Sequence, residues 1–559
     1  MRCCMIYFRI RCCAYCIVFL NIFLLFFVRY SFSSDKKIEE VTRDIVYECT
    51  LPNNSVVGRP LPLASHWNVG LYKDGYGPWY QIGLIKKGYR ILPWLKMPKF
   101  SRENEDESKI EIDRYYKYSI SFFKKYGLPI SFVGTQWESL LSLEKEFFYA
   151  KAGVNQNKRG RFGFEKKLDP LSSSDGNHLW YKVGKKWVTG PQLKKIQKMY
   201  TNPPLIIFLS NNEHKKEKWY EIEDARYLRH GLKREKLSDE EKKRTVGEAW
   251  IRKYNILIES MRENIANKKW RENSLFIGYD SYGNRMMGKS NNWQAWSLNV
   301  DGLELPGAFV WDGTSSSLYL SGEGTYVDHT YSGILIEAMN YSYLFKNALN
   351  INPNAWIEIS VWDGGKEQRA YRKKKGQAYT PERYRGMVQY AMWLLRPRVI
   401  REFRAYNDTV EGNEPYFYSI LDSVNFVYDN DVLKRFWRKG VNVVNTSVDH
   451  PYTLNISENV LSERKWFLLN NSANKFPVRN DNKEIFVYSI ALSLGSKPNR
   501  EWLVYSFSPN KVYTNCEVQI NGNEDDKVTV SVNSSQSGIF SHIVENKRYA
   551  VTELKEKEK

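Results

Sequence analysis

Residues 203–213 read Pro-Pro-Leu-Ile-Ile-Phe-Leu-Ser-Asn-Asn-Glu, and this stretch decides the fold. A short, unbroken apolar run between a Pro-Pro turn and a polar end marks a strand buried on both faces, as in a parallel sheet. Seven similar runs flank it: Ala64–Gly70, Arg90–Leu95, Pro129–Gly134, Ser274–Tyr279, Gly307–Trp311, Trp356–Val361 and Arg398–Phe403. Helical patterns fall between them, clearest at Ile110–Tyr126, Val246–Asn267, Tyr331–Ala348 and Pro381–Leu395. The last opens Thr380-Pro381-Glu382, an N-cap residue followed by Pro at the first helical position. Eight strand–helix alternations predict an α/β chain with a (β/α)8 TIM barrel over residues 60–439. That span exceeds the usual ~250 residues. The excess falls at 150–200 and 214–245, which are rich in Lys, Arg, Gly and Ser and read as loops.

Beyond residue 440 the pattern changes to alternating segments separated by Asn, Gly, Ser and Pro. Lys465–Leu469, Glu484–Ile490, Glu501–Phe507, Glu517–Ile520 and Val528–Val532 predict a C-terminal antiparallel β-sandwich over 440–559. The tail Glu553–Lys559 reads as a solvated charge run.

At the other end, Arg2, Arg9 and Arg11 precede the apolar run Ile17–Val28 and the polar Ser31–Ser34. This is the order of a secretory signal, so 1–34 is expected to be a signal peptide and 35–59 an N-terminal arm. The expected location is extracellular or periplasmic, with a signal anchor as the alternative. The apolar run is short for a bilayer, so no stable span is expected after cleavage. Five of the 7 Cys lie in this segment. Cys49 and Cys516 remain, and whether they pair is open.

The net charge is +20 from 83 Lys+Arg against 63 Asp+Glu. The signal segment holds four Arg and no acid, so the rest stays strongly basic. Such an excess points to a polyanionic partner or to a merely basic surface. Hydrophobic residues at 42% and charged residues at 26% exclude a disordered or fibrous chain. The 18 Trp and 38 Tyr suit a large core and also a carbohydrate cleft. The seven His show no H-E-x-x-H spacing and the Cys no C-x-x-C pair outside the signal, so no metal is expected. No phosphate-loop or G-x-S-x-G motif appears, so phosphate-loop and serine-hydrolase readings fail, and no cofactor is expected. Export argues against a nucleic-acid partner.

A TIM barrel places its chemistry at the C-terminal ends of its strands. Those ends read His66-Trp67 (first), Trp137-Glu138 (third), Asn212-Glu213 (fourth), Tyr279-Asp280-Ser281-Tyr282 (fifth), Trp311-Asp312 (sixth) and Trp362-Asp363 (seventh). The candidate substrate-binding residues are His66, Trp67, Asn212, Trp137, Tyr279, Asp280, Tyr282, Trp311, Asp312, Trp362 and Asp363. Two carboxylates stand apart. Glu213 follows the fourth strand, and Glu358 sits inside the seventh, between Ile357 and Ile359. A charge within a barrel strand is costly without a partner or a task. Glycoside hydrolysis needs such a pair, one protonated and one ionised.

An Asn-Glu dipeptide ending the fourth strand, with a second Glu on the seventh, resembles the retaining glycoside hydrolases of clan GH-A. The resemblance implies Glu213 as acid/base, Asn212 as the residue holding the substrate 2-hydroxyl, and Glu358 as nucleophile. The clan often continues Asn-Glu-Pro, whereas His214 follows here. The barrel, sandwich and basic surface together are similar in plan to enzymes that cut agar, porphyran, carrageenan or sulfated fucan. The implied partner is a polysaccharide, sulfated or uronic.

Other readings stay open. Glu213 could be a carboxylate favoured by a helix N-terminus. Glu358 could pair with Arg398 or Arg401. The aromatics could be plain packing. Glu138 and Asp280 are the reserve carboxylates. Arg159, Arg161, Arg285 and Arg369 are candidates to meet an anionic substrate, their forks matching sulfate or carboxylate. A non-catalytic carbohydrate-binding protein and a polysaccharide lyase, built on Tyr282, His66 and Arg285, are the alternative functions.

Overall fold

A computed structural model describes residues 61–66, 79–87, 89, 91–98, 111–135, 137, 154–156, 166–168, 177–211, 239–278, 309–319, 352, 354–364, 366–403, 410–443, 467–469, 487–509, 511–520 and 528–556. The expected helix at 331–348 and the segments 1–60, Cys49 included, lie outside them.

Eight parallel strands form the barrel wall: β1 (Leu63–His66), β2 (Trp94–Lys96), β3 (Ile130–Thr135), β6 (Ile206–Asn211), β7 (Ser274–Gly278), β8 (Gly313–Tyr319), β9 (Trp356–Trp362) and β10 (Val399–Glu402). Their order is β1-β10-β9-β8-β7-β6-β3-β2, and a parallel bridge between Ala64 and Ile91 joins the two ends. β4 (Val154–Gln156) and β5 (Lys166–Leu168) form a small hairpin after β3. Side chains alternate across each strand. Leu63, Trp94, Leu205, Ile207, Leu275, Trp356 and Val399 pack together inside the barrel. Their neighbours Ala64, Ile206, Phe208, Phe276, Ile357 and Ile400 join the core shared with the surrounding helices.

The helices are α1 (Trp79–Lys86), α2 (Arg114–Tyr126), α3 (Asn177–Thr189), α4 (Pro191–Met199), α5 (Asp239–Asn264), α6 (Lys268–Glu272), α7 (Lys366–Lys374), α8 (Pro381–Leu395), α9 (Val410–Asp429) and α10 (Asp431–Lys439). α2 starts at Asp113, which accepts from the Tyr115 N–H at 2.7 Å, and ends at left-handed Gly127. α8 spans its predicted residues, with the Thr380 hydroxyl accepting from the Arg383 N–H.

Two expectations are corrected. Much of 150–200 is helical: α3 and α4 bury Leu179, Trp180, Val183, Leu193 and Ile196. The flanking lysines hide that spacing in a composition-based reading. The sixth strand is Gly313–Tyr319, beyond the expected Gly307–Trp311. Its sequence, GTSSSLY, lacks an apolar run, and Gly313 and Ser315 stand beside the inward Trp356 and Glu358.

β11 (Val441–Asn442), β12 (Phe467–Leu469), β13 (Val487–Leu494), β14 (Glu501–Phe507), β17 (Ile539–Val544) and β18 (Ala550–Leu554) form an antiparallel sheet. The hairpin of β15 (Tyr513–Gln519) and β16 (Thr529–Ser534) covers one face, with Trp502, Val504, Val518, Val530 and Val532 between the layers. This is the expected sandwich. Cys516 is buried in that core, and burial pushes its thiol up. The opposite face joins the barrel's helical core: Tyr488 meets Tyr390, and Phe540 meets Trp393 and Phe426. Glu553 and Leu554, expected in a solvated tail, belong to β18, and Glu556 pairs with Arg385 of α8.

Candidate active site

The seventh barrel strand sends Trp356, Glu358, Ser360 and Trp362 to the inside. Trp356 belongs to the interior cluster, and Ile357, Ile359 and Val361 to the helical layer. Glu358 is fully buried. Its Oε2 accepts from Arg401 Nε at 3.0 Å, and its Oε1 from Arg401 Nη2 at 3.2 Å and Trp356 Nε1 at 2.9 Å. Arg401 reaches inward from β10, donates Nη1 to the Leu92 carbonyl at 2.6 Å, and lies 4.5 Å over the Trp94 ring. A planar guanidinium can grip a carboxylate with two parallel bonds and still stack on an aromatic face, which Lys cannot do. Burial lowers the Arg401 guanidinium below its ordinary value, and the neighbouring Glu358 opposes that shift.

Small hydroxyl side chains surround the pair. Ser315 of β8 stands opposite Glu358, and Ser360 opposite Arg401. The Ser131, Ser315 and Ser360 hydroxyls are buried and have no hydrogen-bond partner among the described residues. A buried hydroxyl left unpaired costs about 1–3 kcal/mol. These groups therefore suit contact with solvent or a polyhydroxylated ligand. Leu205, Ile207, Leu209, Leu275 and Ile277 supply the opposing, apolar side. Hydroxyls thus stand beside Glu358 on β8 and β9, while Ile207 and Leu209 of β6 and Leu275 and Ile277 of β7 are hydrocarbon and Ser131 of β3 lies next to Ile207. Higher up, Trp362 meets Phe403 edge-on at 5.2 Å.

Other expected site residues lie elsewhere. His66 points to the outside of the barrel, where its Nε2 lies 3.0 Å from Glu402 Oε2 and its ring stacks on Phe417 of α9. Trp137 and Trp311 pack edge-on against one another in the outer layer, Trp137 also on Phe276 and Trp311 on Tyr254 of α5. Asp312 precedes β8, pairs with Arg262 and accepts from the Phe276 N–H at 2.8 Å. Misplacing the sixth strand put Trp311 and Asp312 at the wrong end of it. Asp363 is buried, with its Oδ1 3.7 Å from Arg369 Nη1. Arg369 also donates to the Gly364 carbonyl at 2.6 Å, so it braces the loop. Glu213, Asn212, Trp67, Tyr279, Asp280, Tyr282, Glu138, Arg159, Arg161 and Arg285 lie outside the described residues.

The sequence reading missed Glu402, Trp356 as a donor to Glu358, and the serine lining. Strand parity could have separated Glu402 from Arg401, had the strand boundaries been fixed. Among the described residues, no three His, Cys, Asp or Glu side chains gather as metal ligands would, and no helix is long and apolar enough to cross a membrane.

No protein family and no curated protein matches the chain. Several solved structures are similar in outline. An α-galactosidase from Lactobacillus brevis aligns over 89% of this chain and 54% of its own, with 10% identity and a TM-score of 0.38. A GH36 α-galactosidase from Geobacillus stearothermophilus, in complex with stachyose, aligns over 91% and 58%, with 10% identity and a TM-score of 0.39. A family 5 glycoside hydrolase from Bacteroides vulgatus aligns over 90% and 88%, with 9% identity and a TM-score of 0.39. The chain spans little more than half the length of the two galactosidases. Likenesses this distant carry no site or activity across; the barrel rests on its own strand order.

Proposed function

We propose that this protein is a glycoside hydrolase that cleaves a polysaccharide by a retaining, two-carboxylate mechanism. The observation that carries the reading is the Glu358 carboxylate, turned into the barrel from the seventh strand and gripped by Arg401 beside buried serine hydroxyls. The two Arg401 bonds hold the carboxyl group in one orientation inside the barrel, which a nucleophile needs.

In the first step an oxygen of Glu358 bonds to the anomeric carbon, and the bond to the leaving oxygen breaks. Glu213, which follows the fourth strand in sequence, gives that oxygen its proton. Glu213 then takes a proton from water, whose oxygen attacks the same carbon and releases Glu358. Retention requires the two carboxyl groups roughly 5 Å apart. The basic chain and its candidate signal segment support an anionic substrate met outside the cytoplasm.

An activated 2-fluoro glycoside that traps the covalent intermediate tests the reading. The expected result is one glycosyl mass on the peptide that carries Glu358. A label on Glu138 or Asp280, or products with an unsaturated, ultraviolet-absorbing end, would overturn it. A second reading has one observation in its favour: both Glu358 oxygens already have protein donors, as in a purely structural ion pair. A non-catalytic carbohydrate-binding barrel would then bind polysaccharide and release no reducing ends.

A further inference from the structure

We propose that α7 is a rim platform that docks an anionic segment of a polysaccharide beside the barrel mouth. The inference rests on the carbohydrate reading above but not on its catalytic residues. Both flanks of α7 are tied to the C-terminal end of β9. Its entry follows Asp363 and Gly364, and Arg369 reaches back to the Gly364 carbonyl. Its exit is held by Arg383, which donates to the carbonyls of Gly376 at 3.2 Å and Ala378 at 3.0 Å. The next helix starts beside the same strand end, because the Tyr384 hydroxyl donates to the Val361 carbonyl at 3.1 Å. Thus α7 is an addition between β9 and its return helix α8, carried on the face where a barrel does chemistry.

One side of α7 anchors it. Arg372 is buried, with its guanidinium 4.8 Å from the Tyr379 ring. The other side is basic and aromatic. Lys366, Lys373, Lys374 and Lys375 are exposed, and Glu367 is the helix's one acid. Tyr371 is 47% exposed, with the Lys375 ammonium 5.8 Å from its ring centre. The helix dipole alone would favour cations in the last turn. It gives no reason for a tyrosine to stand in water among them. A cationic surface carrying an exposed aromatic ring fits a chain that presents negative groups and the apolar face of a sugar ring together. A sulfate ester and a uronic carboxylate offer the same charge.

Binding to carrageenan (sulfated), alginate (uronic) and agarose (neutral) tests this with the native protein in the cold, polymer length being checked as unchanged over the measurement. K373S/K374S is compared with K268S/K269S on α6, a charge-matched change that leads into the opposite end of β7. At low salt, K373S/K374S is expected to weaken one anionic polymer about tenfold and Tyr371→Ala about threefold, with K268S/K269S within about twofold of the parent. Preference between carrageenan and alginate identifies the anionic group. Equal losses in both lysine pairs, no loss in K373S/K374S, or no binding to either anionic polymer overturns the proposal. If α7-dependent binding holds while the Glu358 protein releases no reducing ends, the platform stands and the hydrolase reading falls.

Discussion

Arg401 and Glu358 meet inside the barrel through two parallel hydrogen bonds, 3.0 and 3.2 Å long, with both side chains fully buried. Trp356 Nε1 adds a third donor to the carboxylate, and the Leu92 carbonyl accepts from the guanidinium. Desolvation makes such a pair expensive, and it persists because no charge in it is left without a partner. The same geometry keeps the carboxyl group at a fixed angle in the barrel interior.

Removing one partner should therefore harm the fold more than removing both. Arg401→Leu is expected to cost about 3–5 kcal/mol, because it strands a buried carboxylate. The double change E358L/R401L should recover most of that loss. Urea midpoints of the three proteins check this, and a double variant less stable than R401L would contradict it.

Turnover separates the two carboxylates by role. Glu358→Gln should lower the rate of reducing-end release more than about 10³-fold, since the amide cannot form the glycosyl ester. Glu213→Gln should lower it about 10²–10⁴-fold, and less for substrates whose leaving group needs no proton. Kinetics on polysaccharide and on an aryl glycoside with a good leaving group measure the difference. Equal losses on both substrates would remove Glu213 as the acid.

Acid stability should depend on Glu501, at the start of β14. Arg435 of α10 bonds both its oxygens at 2.9 and 2.7 Å, and His542 Nε2 lies 2.6 Å away. The Arg435 bonds first, then the His542 contact, pull its carboxyl down from 4.5 to about 2. A lowered folded value stabilises the protein above the ordinary value and is lost as pH falls toward 2. Melting temperatures between pH 6 and 2 should drop more steeply for the native protein than for Glu501→Gln. Parallel curves would show that the bridge contributes nothing.

The C-terminal sheet should prove inseparable from the barrel. The Tyr505 hydroxyl donates to the Gly386 carbonyl of α8 at 2.6 Å, and a Cβ at Gly386 would overlap the Phe507 ring and the Gln536 carbonyl. Gly386→Ala should cost about 1–3 kcal/mol through overpacking at this contact. Deleting residues 440–559 should leave an insoluble barrel, because Tyr390, Trp393 and Phe426 would face water. Thermal unfolding of G386A and the soluble yield of the truncated chain are the measurements.

Apolar runs were enough to place seven barrel strands, because both faces of a parallel strand are buried. The sixth was hidden, since Gly313 and Ser315 stand where an inward face usually carries apolar residues. The alternation that ends at residue 440, and the switch to turn-bounded strands after it, likewise separates barrel from sandwich without a structure. Glu358 was conspicuous for the same reason: a lone acid in an apolar strand demands an explanation.

What its charge touches, however, is a tertiary matter. Glu358 and Arg401 are 43 residues apart, and their bonds exist because β9 and β10 are neighbours in a closed wall. The parity of each strand then decided which polar residues face the interior. Arg401 faces in, and Glu402, one residue later, faces out to His66. Trp137 and Trp311, reasonable sugar platforms on the page, are packing residues because their strand ends direct them into the helical layer. Local sequence fixes periodicity, since burial of a strand or helix face is a local pattern. The partners of a buried charge depend on which strands the closed barrel brings side by side.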